Sequence, residues 1–330
     1  MPDLFPVCHS ILSASALMTE ILSSYDVGTP TACKLLNRGL NDTYLVATEG
    51  GKFALRIYRQ GWRSDSDILF ELEVLLHLAR AGVPVSTPIP RKDGQNVGRV
   101  LAPEGLRSVV LFTYAPGKEP NYEEEVAAES YLYGKVAAQI HGATDSFRSP
   151  HRRFPLNLEH LVDVPLRACE PFLTHRPEDW KYVVALAEKL RTRLQDLPSD
   201  GLEVGFCHGD LHGGNVHVDP NKALTVYDFD CCGIGWRAYD VAVFRWGARL
   251  RGKEKERWPA FVRGYTEHRP LSDMDMQSTA CFVAIRHLWL LGLHTGNSRD
   301  WGMGWINDAY FDRALKFFHE WEEEFTTNTH

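Results

Sequence analysis

Asp210 and Asn215 stand five residues apart in Cys207-His208-Gly209-Asp210-Leu211-His212-Gly213-Gly214-Asn215, and Asp228-Phe229-Asp230 follows. No other stretch constrains the chain as strongly. Gly209 before Asp210 and a glycine pair behind it call for exposed, sharply turned backbone. A carboxylate on such a turn can accept a proton from a hydroxyl and orient that hydroxyl in line with a γ-phosphate. Asn215 offers a neutral oxygen and Asp228 a charged one. Together with phosphate oxygens they make the hard-oxygen set that Mg²⁺ prefers. The runs at 216–218 and 224–228 read as strands, so Asp228 falls at a strand end.

The first third of the chain has a different texture. Residues 10–25 read as a helix, and strand-like runs follow at 32–36, 43–48 and 52–58. Glu49-Gly50-Gly51 is a hairpin turn between the last two. Residues 64–80 read as a helix opened by Ser and Asp and closed by Ala81-Gly82, with Pro84 beyond. Short strands are expected at 87–89 and 99–101, and a buried strand at 108–114, halted by Ala115-Pro116-Gly117. Beyond that break, 122–141, 177–197, 238–250, 253–268, 274–293 and 307–325 read as helices. The expectation is an α+β chain of two lobes: a small β-rich lobe at 1–113, a hinge at 114–118 and a larger helical lobe at 119–330.

Two features of the first third suit a phosphate-bearing ligand. Leu40-Asn41-Asp42-Thr43, entered through Arg38-Gly39, lies between two strands, where backbone N–H groups can cover phosphates. Arg56 sits in the apolar run Phe53-Ala54-Leu55-Arg56-Ile57-Tyr58, where a cation needs a partner. At 100° per residue the apolar face of helix 64–80 centres between Ile68 and Leu72. Glu71 then falls about 70° from that centre and Glu73 about 130°. Glu71 is the expected partner of Arg56, and Glu73 is expected in water.

Composition narrows the partners. A net charge of −7 without strong charge runs argues against nucleic acid. Seven cysteines without a C-x-x-C pair fit reduced thiols. The first residues lack the basic region of a secretory leader, and Arg286 and His287 interrupt the most apolar segment, 281–293. A cytoplasmic protein without a membrane partner is expected; oligomeric state is not encoded in these features.

The ordered set Gly39-Leu40-Asn41-Asp42-Thr43-Tyr44, Ala54-Leu55-Arg56, Glu71, Phe112-Thr113-Tyr114, His208-Gly209-Asp210 with Asn215, Asp228-Phe229-Asp230 and Asp240 resembles the aminoglycoside phosphotransferase and choline kinase family. That family includes type II homoserine kinases and a stress-response protein kinase branch. The resemblance spans roughly residues 35–325 and implies a protein-kinase-like fold. It further implies ATP bound between the lobes at Phe112–Tyr114, with Asn41, Thr43, Arg56 and Glu71 on the nucleotide. Asp210 would be the catalytic base, Asn215 and Asp228 the Mg²⁺ ligands, and His208 and Asp240 buried supports of the loop. Two positions depart from the family pattern: Arg56 stands where a Lys is usual, and Asp230 where a Gly is usual. Arg can still pair with phosphate and with Glu71, as a planar fork.

Rival patterns are weaker. Gly233-Ile234-Gly235-Trp236-Arg237-Ala238 matches a dinucleotide fingerprint, but Trp236 is bulky where a pyrophosphate must approach. His208, His212 and His217 invite a zinc site, yet loop histidines this close rarely converge without a helix to space them. A pseudokinase that binds nucleotide without transfer is a third reading. For the acceptor, His212, Asp230, Trp289, Asp300 and Trp301 are candidates, since aromatics with carboxylates can enclose an ammonium group. A small hydroxylated metabolite resembling homoserine, choline or an amino alcohol is the first expectation, and a protein Ser/Thr acceptor the second.

Overall fold

Alternating apolar residues build the first sheet. Strands β1 (Pro30–Arg38), β2 (Asn41–Thr48) and β3 (Gly51–Tyr58) form an antiparallel meander, completed by β4 (Gly98–Ala102) and β5 (Gly105–Thr113) in the order β1-β2-β3-β5-β4. The computed structural model describes residues 5–120, 123, 126–197 and 201–327. Tyr44, Val46, Leu55, Ile57, Val109 and Leu111 recur at every second position, so they share one face of the sheet. That face packs on Leu17, Leu22, Tyr25 and Val27. Helix α1 (Asp65–Arg80) starts at a capping box made by Ser64 and Asp67 and buries Ile68, Phe70, Glu71, Leu72, Val74, Leu75 and Leu78.

Two expectations in this region are corrected. The helix at 10–25 is instead three short turns: an α turn at Ala14–Ala16, a π turn at Leu17–Ile21 and a 3-10 turn at Leu22–Ser24. Ser23 and Ser24 donate their hydroxyls to the carbonyls of Glu20 and Ile21, which competes with a continuous helical ladder. The run at 87–89 makes a single bridge, Pro88 to Phe112, and not a strand. Proline has no N–H to extend the pairing.

The chain divides into two compact units. One comprises Met1–Pro116, Phe147–Arg152 and Thr225–Tyr227; the other Gly117–Ser146, Arg153–Leu224 and Asp228–His330. The second is mainly helical: α2 (Val126–Ala143), α3 (Val164–Leu173), α4 (Pro177–Gln195), α5 (Arg237–Leu250), α6 (Glu254–Thr266), α7 (Asp273–Gly296) and α8 (Asp308–Thr327). The expected start of α2 at 122 lies outside the described residues. Helix α3 was not anticipated, because Pro165 and Pro171 mask its periodicity. Helix α7 is buried nearly all round and packs on α3 and α5. Among the described residues no helix is long and apolar enough to cross a membrane.

Strands are also more numerous here than expected. Besides β8 (Val216–Val218) and β9 (Leu224–Val226), a three-stranded sheet forms from β6 (Pro155–Leu156), β10 (Gly233–Trp236) and β7 (Val204–Cys207). The glycines of the dinucleotide-like segment therefore lie in a strand. A Cβ on Gly235 would stand 2.6 Å from the Leu156 Cβ and 2.8 Å from its carbonyl oxygen. Close strand packing, not phosphate approach, requires those glycines. Gly235→Ala is expected to cost about 1–3 kcal/mol by overpacking. Chemical denaturation measures that loss, and nucleotide titration should show unaltered affinity.

Candidate active site

The loop that carries Asp210 hangs from one carboxylate. Asp240 lies in the first turn of α5, where the helix dipole favours a negative charge, and is fully buried. Its Oδ2 accepts the His208 N–H at 2.5 Å and its Oδ1 the Gly209 N–H at 2.7 Å. His141 Nε2 lies 3.1 Å from Oδ2, and the Tyr265 hydroxyl 2.7 Å from His141 Nδ1. His208 is fully buried, accepts the Asp210 N–H at Nδ1 (3.2 Å) and packs its ring 4.3 Å from Phe229. Gly209 has φ +80°, and a Cβ there would stand 2.1 Å from the Cys231 carbonyl. Glycine is thus demanded twice over, by dihedral and by space.

Asp210 is gripped on both carboxylate oxygens. Asn215 Nδ2 donates to Oδ2 and to the Asp210 carbonyl, both at 2.9 Å, while Arg286 Nη2 donates to Oδ1. His212 Nε2 lies 3.4 Å from Oδ2, and its Nδ1 accepts the Gly214 N–H at 2.9 Å. Burial pushes the Asp210 carboxyl up, but the adjacent His212 and Arg286 outweigh it and hold the group well below the usual carboxylate range. It is therefore ionised at neutral pH, as a proton acceptor must be. With Nδ2 committed to Asp210, Oδ1 is the Asn215 atom suited to a cation.

Asp228 adopts φ 63°, ψ 63°, a left-handed conformation that Asp tolerates better than most residues. The next residue, Phe229, is fully buried against Phe206 and His208, whereas Asp228 is exposed. Anchoring the ring turns the carboxylate outward. Asp230 is buried, and its carbonyl accepts a hydrogen bond from Arg153. Cys231 and Cys232 are buried and form no disulfide. Among the described residues no group of three or more His, Cys, Asp or Glu side chains is placed to hold a metal ion. His208 and His212 instead spend ring nitrogens on loop N–H groups.

The other unit brings Arg56 and Glu71 together. Arg56 Nη1 donates to Glu71 Oε1 at 2.7 Å, and the Tyr58 hydroxyl donates to Oε2 at 3.0 Å. The guanidinium lies 5.0 Å from the Phe112 ring centroid. Glu73 is half-exposed, beside Ser149 and His151. Thr43 pairs with Arg56 across β2 and β3, and Asn41 Oδ1 accepts the Arg59 N–H at 3.2 Å. Only Gly39-Leu40 form the turn, because Asn41 already belongs to β2. Asp42, read as part of a phosphate-covering loop, is fully buried, 2.7 Å from Arg107 Nη2 and 3.0 Å from His9 Nε2. Tyr114 is half-buried just past β5.

Of the candidate acceptor residues, Trp289 lies in α7 and Asp300 and Trp301 beyond its end. Trp289 is buried, and its ring faces the Arg286 guanidinium at 4.4 Å, so a protein cation already uses that face. Trp301 ends the short helix Ser298–Trp301 beyond α7, 6.1 Å from the His294 ring. Asp300 is half-buried, its N–H bonded to the Asn297 carbonyl. Sequence reasoning missed the roles of Arg286, His141 and Trp246. A usable signal existed for Arg286: a cation inside an apolar helix needs a partner, the argument that paired Arg56 with Glu71.

Comparison with known proteins decides the family. The family model described as the phosphotransferase enzyme family matches residues 32–271. The chain belongs to that family. A protein of Deinococcus radiodurans, named only as uncharacterized, is 41% identical over 323 residues, covering 97% of this chain and 93% of the relative. Amicoumacin kinase of Bacillus subtilis is 27% identical over 266 residues, covering 77% of this chain and 76% of the relative. The solved microcompartment-associated aminopropanol kinase superposes with TM-score 0.74 at 27% identity, covering 92% of this chain and 94% of that one. This phosphotransferase therefore has the kinase-like α+β fold expected of it, with an antiparallel sheet first and helices after.

Its loop anchor makes a stability prediction. Asp240→Ala strands the His208 and Gly209 N–H groups and should cost roughly 3–5 kcal/mol, as removing one partner of a buried charged network does. Asp240→Asn, which keeps one acceptor oxygen, should cost less. Urea unfolding of the two variants checks the order; equal losses would contradict it.

Proposed function

We propose that this phosphotransferase moves the γ-phosphate of ATP to the hydroxyl of a small amino alcohol or hydroxy amino acid, with Asp210 as the base. The observation that carries the reading is the Asp210 carboxylate, ionised and held at both oxygens on a loop anchored by Asp240. The likeness to aminopropanol kinase supports the acceptor class. Asp210 would take the hydroxyl proton as the acceptor oxygen bonds to phosphorus and the bond to the β-phosphate oxygen breaks, leaving a phosphate ester and ADP. With Asn215 and His212 on Oδ2 and Arg286 on Oδ1, Oδ1 keeps further acceptor capacity for that proton.

Asn215 and Asp228 fit a magnesium ion: a neutral amide oxygen and an exposed carboxylate are the hard donors it takes alongside phosphate and water. Bound there, the ion would neutralise charge on the phosphates. Arg56, oriented by Glu71 and Tyr58, would contribute a fixed cation for phosphate oxygens. Phe112, Tyr114, Asn41 and Thr43 complete the proposed nucleotide residues.

The test is Mg²⁺-dependent ADP release from ATP, offered 1-amino-2-propanol, ethanolamine, choline, L-homoserine, an aminoglycoside and a generic Ser/Thr protein. One of the amino alcohols or homoserine should stimulate release. Asp210→Asn should lower that stimulated rate by roughly 10²–10⁴-fold while leaving ATP binding nearly intact. Nucleotide binding with no stimulation by any acceptor would count against transfer; stimulation by the protein alone would replace the acceptor class. In a separate measurement, Asp228→Ala should weaken binding of ATP in Mg²⁺ but not in EDTA. Unaltered affinity in Mg²⁺ would remove Asp228 as a ligand.

A further inference from the structure

Arg286 enters the reading above only as one of the donors that hold Asp210, yet no role in transfer follows from that alone. It projects from α7, is 2% exposed, and reaches Asp210 across 76 positions of sequence. Its guanidinium lies 4.9 Å from the Trp246 ring centroid and 4.4 Å from that of Trp289. Trp246 is itself fixed, because its indole N–H donates to His287 Nδ1 at 3.2 Å, and the His287 ring stacks on Phe317 at 4.0 Å and 21°. Burial lowers His287 to about 3, so the imidazole stays neutral and available as that acceptor. A guanidinium so confined has little rotameric freedom left. It spends Nη2 on Asp210 Oδ1 and Nη1 on the Gly209 carbonyl at 3.3 Å.

An aspartate side chain turns about a broad, roughly two-fold final torsion. One donor cannot fix its plane. Here Asn215 holds Oδ2 and Arg286 holds Oδ1, from opposite ends of the carboxylate. Resting on the reading of Asp210 as base, we infer that Arg286 is a positioning residue that sets the plane of the Asp210 carboxylate for proton acceptance. The aromatic pair attracts the cation and confines it, and the cation confines the base. A tie between α7 and the loop alone would need only the Gly209 carbonyl; the second bond, to the reacting carboxylate, is what points to positioning.

The experiment is a double-mutant cycle on ADP release from Mg·ATP, with 1-amino-2-propanol and L-homoserine as acceptors and water where neither is used. Arg286→Ala should lower kcat on the order of 10²-fold, as misplacing a reacting group by an ångström does, with the KM for ATP within about twofold. In an Asp210→Ala background the same change should lower turnover no further, since no carboxylate remains to position. Guanidinium chloride should restore part of the loss in Arg286→Ala by filling the space between the two tryptophans. Equal losses in both backgrounds would overturn the inference, and so would a kcat within about twofold of the parent. Should Arg286→Ala not fold, Arg286→Lys serves. It keeps the charge without the planar fork, should melt like the parent and still lose kcat, and is judged by the same cycle. If Asp210→Ala alone leaves turnover unchanged, the reading of Asp210 as base falls, and this inference with it. If Asp210→Ala is crippled but the two losses simply add, only the role of Arg286 is lost.

Discussion

The Asp240 carboxylate holds in place the loop that carries Asp210. It takes two consecutive backbone N–H groups, those of His208 and Gly209, and lies beside His141. Backbone donors buried away from water are costly to leave unpaired, so these bonds fix where the loop leaves β7. Because the same carboxylate sits in the first turn of α5, loop and helix cannot move independently without breaking charged hydrogen bonds. Asp210, Asn215 and His212 inherit their positions from that junction.

Buried arginines do a second share of the organising. Arg56 meets Glu71, Arg107 meets Asp42, and Arg286 meets Asp210. In each case a cation in apolar surroundings is compensated by a carboxylate and by further acceptors or aromatic faces. The planar fork lets one side chain reach two acceptors, as Arg107 does with the Tyr58 carbonyl and Asp42, and Arg286 with Gly209 and Asp210. Such pairs contribute less to net stability than to defining one arrangement, and here that arrangement includes the residues proposed for catalysis.

Legibility followed sequence distance. The Arg56–Glu71 pair spans 15 positions and a single strand-to-helix step, and the helical period alone turned Glu71 inward. The β-rich first unit and the helices of the second were readable from periodicity, but β6, β7 and β10 were too short to carry an alternating signal. Pro165 and Pro171 concealed α3, and the burial of the Asp42 side chain beside Arg107 gave no signal in its loop-like neighbourhood. Arg286 lies tens of residues from the loop it touches, and His141 from the Asp240 it meets, in helices whose own periodicity says only that those faces are buried.

The sequence by itself determined the local chemistry: a glycine-turned loop with Asp210 and Asn215, Asp228 following a short strand (which stops at Val226 and not at Asp228 as its pattern suggested), and a cation in β3 with a carboxylate one helix away. These are encoded by residue type and short spacing, which the chain carries wherever it folds. Tertiary structure alone decided what surrounds the proposed base. Arg286 arrives from α7 with Trp246 and Trp289 about it, Asp240 and His141 close beneath the loop, and Phe229 pins the turn that exposes Asp228. Those partners converge only when helices distant in sequence pack together, and packing depends on the whole set of side-chain shapes rather than on any local pattern.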